Sequence, residues 1–348
     1  MPEPAARARR PYLWWVATPL CLLYAAGVFA FLALRHLLLE WPPLLLVFAF
    51  LGPWLYAPLL LLLPLAFFSR ARPAIAASLA VLLLFLGIYL PFFLPRFGAA
   101  PATAGGSLVA MAFNLGPGVS QPAELVAAIG GTGAGIVALE EVYPEAAAAF
   151  EEELAQRYPY RLLPSGGGAS GLLSRYPIRE HEYLRLAGVG RPALRVVLDV
   201  AGETLHVFVL HPDPPINAAY GSRGRLPVRL FDEHQEAQMA DLARRARALA
   251  GPVLALGDFN MSDQSRPYVV ISRALGDAFR EAGFGFGFTF PVNLARRGLA
   301  LPGPLWRIDY VFHNDAFYAR RAYVGCQGGS DHCYVVAELE RVAQGAQP

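Results

Sequence analysis

The chain has 348 residues, of which 55% are hydrophobic and 16% are charged, and its mean hydropathy is +0.38. Soluble domains carry closer to a quarter of charged residues, so this composition excludes a wholly soluble protein and indicates membrane segments. Seven arginines and two acids precede residue 98, whereas 22 arginines and 25 acids follow it. Binding to long nucleic acids needs a basic face, and the mildly acidic remainder makes that class of partner less favourable.

Three apolar runs, at about residues 12–34, 43–68 and 74–94, reach the roughly 20 residues that a bilayer requires. A cleaved signal peptide is the alternative for the first run, but its apolar stretch exceeds a signal core and two further runs follow. Pro53, Pro58 and Pro64 in the second run predict a kinked or broken helix, or a re-entrant hairpin.

The placement of arginine predicts the orientation, because cytoplasmic loops are enriched in basic residues. Three arginines precede the first run and two separate the second from the third, while the intervening loop has one. Arg96, just after the third run, is a mild argument for the opposite orientation. We therefore expect a multi-pass plasma-membrane protein whose globular part lies on the extracytoplasmic side.

The predicted organisation is a cytoplasmic N-terminus (1–11), a membrane domain of three transmembrane helices (12–97), a linker (98–106), a globular domain (107–343) and a tail (344–348). About ten linker residues reach at most ~35 Å when extended. We therefore expect the globular domain to stay near the lipid surface.

Polar residues stand at the ends of four apolar runs that read as strands in the globular part. Asn114, Glu141, His211 and Asp258 follow AMAF, VALE, VFVL and LALG, respectively. Strand ends can direct side chains into one shared cleft, so this pattern indicates an assembled active site. The segments PEAAAAFEEELAQRY and EHQEAQMADLARRARALA have helical periodicity, whereas GLLSRYPI reads as one strand.

The motifs AFN, LEEV, LSRYPI, LHP, GDFN, RIDYVF and GSDH occur in this order between about residues 107 and 341. Each motif alone is weak, but together they resemble the endonuclease/exonuclease/phosphatase superfamily. The resemblance implies a DNase I-like α/β (α+β) four-layer sandwich, in which helices flank two packed mixed sheets, here preceded by three transmembrane helices.

The resemblance also implies a cation, Mg²⁺ or Mn²⁺, held by Asn114, Glu141 and Asp331. Such hard cations prefer carboxylate and amide oxygens, and they polarise phosphoryl oxygens. Strand alternation directs Glu140 to the opposite face from Glu141, so only one of the two is expected in the cleft.

The remaining motif residues supply the predicted catalytic groups. In the family pattern Asp309 orients His332, while Asp258 and Asn260 position and activate the attacking water and hold the phosphate. His211 is expected to donate a hydrogen bond to the phosphoryl oxygens as charge develops. These roles imply direct in-line attack by water without a covalent intermediate.

The substrate class is narrowed by departures from related patterns. The sequence lacks the aromatic-Arg pair and the Cys-Asp-Arg run of inositol 5-phosphatases, which argues against that subgroup. It resembles the membrane-anchored bacterial branch of the superfamily in its motifs GDFNMSD and LHPDPP and in its three N-terminal apolar runs. We expect a monomer that hydrolyses a phosphoester or pyrophosphate, lipid-linked or close to the bilayer. The alternatives are an extracytoplasmic nuclease acting on DNA or RNA and a non-enzymatic membrane scaffold.

Cys326 and Cys333 flank the GGSDH motif. They can form a disulfide if this region lies outside the cytoplasm, where disulfides persist. Spacing alone leaves the bridge open, because it does not give the distance between the two residues.

Overall fold

The computed structural model describes residues 11–38, 48–94, 103–164, 169–218, 228–230, 233–293, 295, 298 and 303–343. The chain divides into two compact units, Met1–Leu94 and Pro95–Pro348. Their boundary lies close to the predicted end of the membrane domain at residue 97. The two units are described separately below.

The N-terminal unit contains helices α1 (Pro11–Leu37), α2 (Leu59–Ser69) and α3 (Arg72–Tyr89), with 3₁₀ turns at Gly52–Tyr56 and Leu90–Phe93. Two helices, Leu13–Leu37 and Arg72–Phe93, are long and apolar enough to cross a membrane. A third span is formed if Phe48–Tyr56 and Leu59–Ser69, which are bent by 40°, make one broken span. The predicted break in the second run is therefore confirmed, and it lies where the prolines remove backbone donors.

The C-terminal unit is built on two six-stranded sheets. The first has the order β13-β14-β1-β2-β4-β3 and the second the order β11-β12-β10-β7-β6-β5, while β8 and β9 form a separate pair. The strands are β1 (Thr103–Asn114), β2 (Ile136–Val142), β3 (Tyr160–Leu162), β4 (Ala169–Ser174), β5 (Ile178–Leu184), β6 (Ala193–Val200), β7 (Glu203–Leu210), β8 (Ile216–Ala218), β9 (Val228–Leu230), β10 (Val253–Asp258), β11 (Gly276–Asp277), β12 (Asp309–His313), β13 (Phe317–Gly325) and β14 (Tyr334–Val342).

Helices cover the outer faces of the two sheets. The helices of this unit are α4 (Pro122–Gly131), α5 (Pro144–Glu153), α6 (Glu233–Ala248), α7 (Arg266–Ser272) and α8 (Ala278–Ala282). Side chains of α4 and α5 pack on the first sheet, and those of α6 and α7 pack on the second. The layers are thus helix, sheet, sheet and helix, and the predicted DNase I-like sandwich is confirmed.

Alternation along β1 explains why this strand is apolar from Leu108 to Phe113. Ala110 and Ala112 face the core between the sheets, whereas Met111 and Phe113 face the helices. A strand buried on both faces needs apolar residues at every position. The small alanines allow the two sheets to approach, and the larger residues fill the space beneath α4 and α5.

Strand pairing brings the polar strand ends together. β1 is parallel to β2, with Asn114 opposite Glu140, and β10 is parallel to β7. β12 is antiparallel to β10, which places Asp309 opposite Asp258. Two sequence assignments differ from the structure. GLLSRYPI is divided between β4 and β5, and β1 begins at Thr103, within the stretch assigned to the linker.

Candidate active site

The candidate site lies where the carboxyl ends of parallel strands from both sheets meet. Asn114 ends β1 in the first sheet, and its Nδ2 donates a hydrogen bond of 3.0 Å to Asp258 Oδ2 at the end of β10 in the second sheet. Both side chains are almost fully buried. This bond links the two sheets directly at the site.

His332 and Asp309 form a buried pair beside Asp258. His332 Nδ1 lies 3.0 Å from Asp309 Oδ2 and 3.2 Å from Oδ1, and its Nε2 lies 3.9 Å from Asp258 Oδ2. Burial by itself lowers the pKa of His332, but Asp309 and Asp258 outweigh it and raise that pKa to about 10. Without a nearby cation, His332 is therefore protonated at neutral pH and its Nε2 is a donor.

The loop before β14 is fixed by its backbone and by Ser330. Ser330 Oγ donates to Asn114 O at 2.7 Å and accepts from His332 N at 3.0 Å. Cys333 N donates to Thr289 O at 2.7 Å, and Cys333 is bridged to Cys326 by a disulfide. The structure thus contains the bridge that the sequence left open, and it holds the residue next to His332.

Asp258 is a buried carboxyl group whose pKa is raised to about 7, by burial first and by Asp309 second. His332 and hydrogen bonds from Asn260 N and Asn114 Nδ2 act in the opposite direction. A carboxyl group with a pKa near neutrality can accept a proton in one step and return it in another. Asn260 has a left-handed φ of 50° and donates from Nδ2 to Pro212 O at 3.0 Å, which fixes the orientation of its amide.

His211 is buried between carboxylates and an arginine. Its Nε2 lies 3.6 Å from both Glu141 Oε1 and Asp258 Oδ2. Burial, then Arg191 and His332, lower the pKa of His211 well below its ordinary value. A neutral imidazole can donate one hydrogen bond, which is the role predicted for it.

Arg191 is a residue of this site that sequence reasoning missed. Its Nη1 lies 3.1 and 2.8 Å from the two ring nitrogens of His211, and its Nε pairs with Asp213 Oδ1 at 3.1 Å. The side chain is 43% exposed, so the guanidinium stands at the mouth of the site. A single arginine in a Gly-Arg-Pro turn gives no signal in the sequence, because only the fold brings it beside His211.

Glu140 and Glu141 both reach the site, so the expectation that only one would enter the cleft is wrong. Glu141 has a φ of 55°, and the pairing of β2 with β4 shifts register between Leu139 and Val142. This irregularity breaks the alternation on which the expectation depended. Glu140 is fully buried, and burial, then Asp309 and Asp258, raise its pKa well above its usual range.

The donor set suits a hard cation. Neither carboxylate oxygen of Glu140 has a hydrogen-bond partner among the described residues, although both are buried. Such groups are normally paired, protonated or bound to a metal. Asp258, Asp309 and His332 also form a group whose ligand atoms lie within 4.8 Å of one another.

The predicted metal ligands lie at the edge of this same cluster. Glu141 is 31% exposed and approaches His211, and Asp331 Oδ1 lies so close to Gly116 that a Cβ at Gly116 would overlap it. Gly116 N in turn donates to Asn114 Oδ1 at 3.2 Å. The structure thus brings all eight predicted residues to one site, while their individual roles remain predictions.

The model of the endonuclease/exonuclease/phosphatase family matches residues 111–332, which is more than half of the chain. The chain belongs to this family. The match begins within β1 and ends at His332, and it therefore includes every residue of the cluster described above. No curated protein matches the sequence.

Solved structures with the same fold include three bacterial proteins. An endonuclease/exonuclease/phosphatase from Beutenbergia cavernae is 21% identical, with a TM-score of 0.51 over 68% of this chain and 72% of that one. One from Bacteroides vulgatus is 16% identical, with a TM-score of 0.53 over 68% and 100%. Sphingomyelinase C from Streptomyces griseocarneus is 19% identical, with a TM-score of 0.50 over 67% and 99%. At these identities the likeness establishes the fold alone.

Proposed function

We propose that the protein is a membrane-anchored, extracytoplasmic, metal-dependent phosphoesterase. It hydrolyses a phosphoester or pyrophosphate that is lipid-linked or close to the bilayer, by direct attack of water. The observation that carries this proposal is the buried Asp309–His332 pair beside Asp258, within a cluster of oxygen ligands. Family membership supports a hydrolase of phosphoesters.

Asn114, Glu141 and Asp331 would hold Mg²⁺ or Mn²⁺, which polarises the phosphoryl oxygens and neutralises developing charge when bound. We favour these oxygen ligands over the group containing His332, because both Asp309 oxygens already contact His332 Nδ1. Hard cations also prefer oxygen to imidazole nitrogen.

The protein groups then divide the proton transfers between them. Asp258 accepts the proton of the attacking water, while Asn260 and Asn114 fix its orientation, and the leaving oxygen takes a proton from solvent. His332 donates from Nε2 to a phosphoryl oxygen, and Asp309 stabilises its positive charge. His211 and Arg191 contact the oxygens that gain charge in the transition state.

Water is the nucleophile in this scheme because the Ser330 hydroxyl, which lies beside the cluster, is already engaged. Ser330 Oγ uses its proton for Asn114 O and accepts from His332 N. A serine nucleophile would need a base to remove that proton. Direct hydrolysis therefore fits the geometry better than a phosphoserine intermediate.

Three observations support a membrane-proximal substrate on the extracytoplasmic side. The chain carries two or three apolar helices that are long enough to span a bilayer. The arginine distribution favours an outward-facing catalytic unit. The Cys326–Cys333 disulfide suits an oxidising compartment.

The test is a hydrolysis panel with the purified full-length protein in detergent, with Mg²⁺ or Mn²⁺ and after chelation. The panel contains phospholipids, isoprenyl pyrophosphates, nucleotides and DNA. Asp258→Asn and His332→Ala should each lower turnover by at least about 10²-fold, whereas Asp315→Asn and His181→Ala, matched changes at exposed positions, should retain it. Rapid DNA cleavage without hydrolysis of any lipid phosphate would overturn the proposal in favour of a nuclease.

The orientation is tested separately by labelling. Arg320 is 70% exposed on β13, so Arg320→Cys offers one reactive thiol on the catalytic unit. Cys21 is buried, and Cys326 and Cys333 are bridged, so the unmodified chain provides the background control. A membrane-impermeant maleimide should label the variant in intact cells. Labelling only after lysis would place the catalytic unit in the cytoplasm.

A further inference from the structure

The segment 283–290, which we call the Gly–Phe strip, alternates glycine at 283, 285 and 287 with phenylalanine at 284, 286, 288 and, after Thr289, at 290. The glycines are required on the side that faces α8. A Cβ at Gly283 would lie 2.7 Å from the Phe279 ring, and one at Gly287, where φ is 73°, would overlap that ring. Only glycine lets the backbone lie so close to Phe279.

The phenylalanines lie on the outer side of the strip. Phe284 is 72% exposed, which is the highest value for a large hydrophobic residue in the described part of the catalytic unit. Phe286 and Phe288 are half-buried, and their rings stack with centroids 5.1 Å apart and planes inclined by 15°. One exposed phenylalanine beside two half-buried, stacked ones forms an apolar surface of the kind that binds ligands.

The strip ends at the catalytic pair. Thr289 is fully buried, whereas its neighbours Phe288 and Phe290 are not. The Phe290 ring lies 4.6 Å from the His332 ring and 6.2 Å from that of Trp306, measured between centroids. A substrate phosphate at His332 therefore has aromatic side chains directly beside it.

The strip itself carries no charge, which favours an apolar ligand. Residues 282–293 include no charged side chain, and the nearby cluster is rich in carboxylates. Arg280 is directed at the strip backbone, donating to Gly285 O and Phe286 O, and it is paired with Asp263. A single-stranded nucleic acid needs basic groups for its phosphates as well as aromatic rings for its bases, and residues 282–293 supply only the rings.

We propose that the Gly–Phe strip binds the aliphatic chain of the substrate, an alkyl, acyl or isoprenoid group attached to the scissile phosphate. This inference rests on the proposed phosphoesterase function and specifies its substrate class. Phe286 and Phe288 contact the chain, and Phe290 separates it from the polar groups around His332. The strip thereby makes hydrolysis dependent on the length of the apolar group.

The test uses ethyl, hexyl and decyl esters of the phosphate class that the wild-type protein hydrolyses, with full-length protein at constant detergent. Complete burial of one methylene strengthens binding by about fourfold, so partial burial should raise kcat/KM by a smaller factor per methylene. Phe286→Ala/Phe288→Ala should remove most of this dependence while leaving kcat/KM for the ethyl ester within about threefold of wild type. Tyr160→Ala, at an aromatic residue exposed on β3, should keep the full dependence.

Inhibition by alkyl phosphonates of the same lengths should show the same dependence without turnover. Retention of the wild-type length dependence in the double variant would overturn the assignment of the strip. A double variant that instead loses hydrolysis of a single-stranded oligonucleotide would assign the strip to nucleobases. If wild type hydrolyses the ethyl ester without length dependence, the subsite inference fails and the phosphoesterase function stands. If wild type hydrolyses no phosphate ester, both fail together.

Discussion

The Asp309–His332 pair gives the sharpest prediction. Asp309→Asn keeps the shape of the side chain but removes the charge that contacts His332 Nδ1 at 3.0 and 3.2 Å. The pKa of His332 should fall, because Asp309 is the largest of the charges that raise it. Loss of a positioned acid–base partner costs about 10²- to 10⁴-fold in rate, and we expect kcat/KM to fall within that range.

The same substitution has opposing effects on stability. Removing one partner of a buried ion pair typically costs ~3–5 kcal/mol, because a charge is left unpaired. Here His332 can lose its proton, and the change also removes repulsion between Asp309 and the buried carboxyls of Glu140 and Asp258. We therefore expect the free energy of unfolding, measured in urea without metal, to fall by less than ~3 kcal/mol.

A double-mutant cycle with His332→Ala decides whether the pair acts as a unit. If it does, Asp309→Asn should lower kcat/KM by less than about tenfold on the His332→Ala background, since residues that act together are not additive. The measurement is kcat/KM at saturating metal for wild type, both single variants and the double variant. Multiplicative losses would refute the reasoning, because they would mean that Asp309 acts through something other than His332.

Three further predictions concern groups around the site and in the β12 region. Arg191→Gln should lower kcat/KM by about 10- to 100-fold, as expected for the loss of one charge-assisted hydrogen bond. The unfolding free energy of this variant should stay within ~0.5 kcal/mol of wild type, because the side chain is 43% exposed. Unchanged kinetics would mean that Arg191 does not belong to the site. Cys326→Ser/Cys333→Ser, or reduction by a dithiol, should lower the free energy of unfolding by about 2–3 kcal/mol for a loop of this length. It should also lower kcat, because the bridge ends beside His332. Equal activity of the reduced and oxidised protein would contradict this prediction. Glu281, whose carboxylate lies 2.8 Å from His313, raises the pKa of His313 despite its burial. The stability that this contact contributes is therefore fully present below about pH 6.5 and is lost as the pH rises through the raised pKa. His313→Gln should flatten the dependence of the melting temperature on pH above about 6.5, and an unchanged profile would count against the pairing.

The family resemblance implied the sandwich, whereas individual strands were predicted from their own apolar runs. β10 and the Leu108–Phe113 part of β1 are continuous apolar runs followed by a polar residue, and this pattern identifies both the strand and the polar end that faces the site. The helix α5 was equally clear from its periodicity, although it ends at Glu153, earlier than the apolar pattern suggested. Local sequence patterns were sufficient to predict a helix or strand wherever the burial of its residues followed from the periodicity of that element alone.

The parts that sequence reasoning missed depend on backbone irregularity or on distant contacts. The left-handed φ of Glu141 is invisible in LEEV, where strict alternation excludes Glu140 from the cleft. Arg191 and Thr289 lie outside the helices and strands and reach the site only through packing between elements. Asn114, Asp258 and His332 were predicted because they lie in the motifs AFN, GDFN and GSDH, respectively. The order of these motifs was known from the family resemblance.

Thr289 connects the backbones of the RIDY and GSDH motifs, which carry the paired residues Asp309 and His332. Its Oγ1 accepts from Ile308 N at 3.2 Å and from Asp309 N at 3.3 Å, and its carbonyl accepts from Cys333 N at 2.7 Å. One residue thus fixes the backbone on both sides of the Asp309–His332 contact. Because Thr289 lies within the Gly–Phe strip, a substitution there would disturb the catalytic pair and the aromatic surface together. Phe286 and Phe288 are therefore the positions at which substrate length can be tested without moving the catalytic groups.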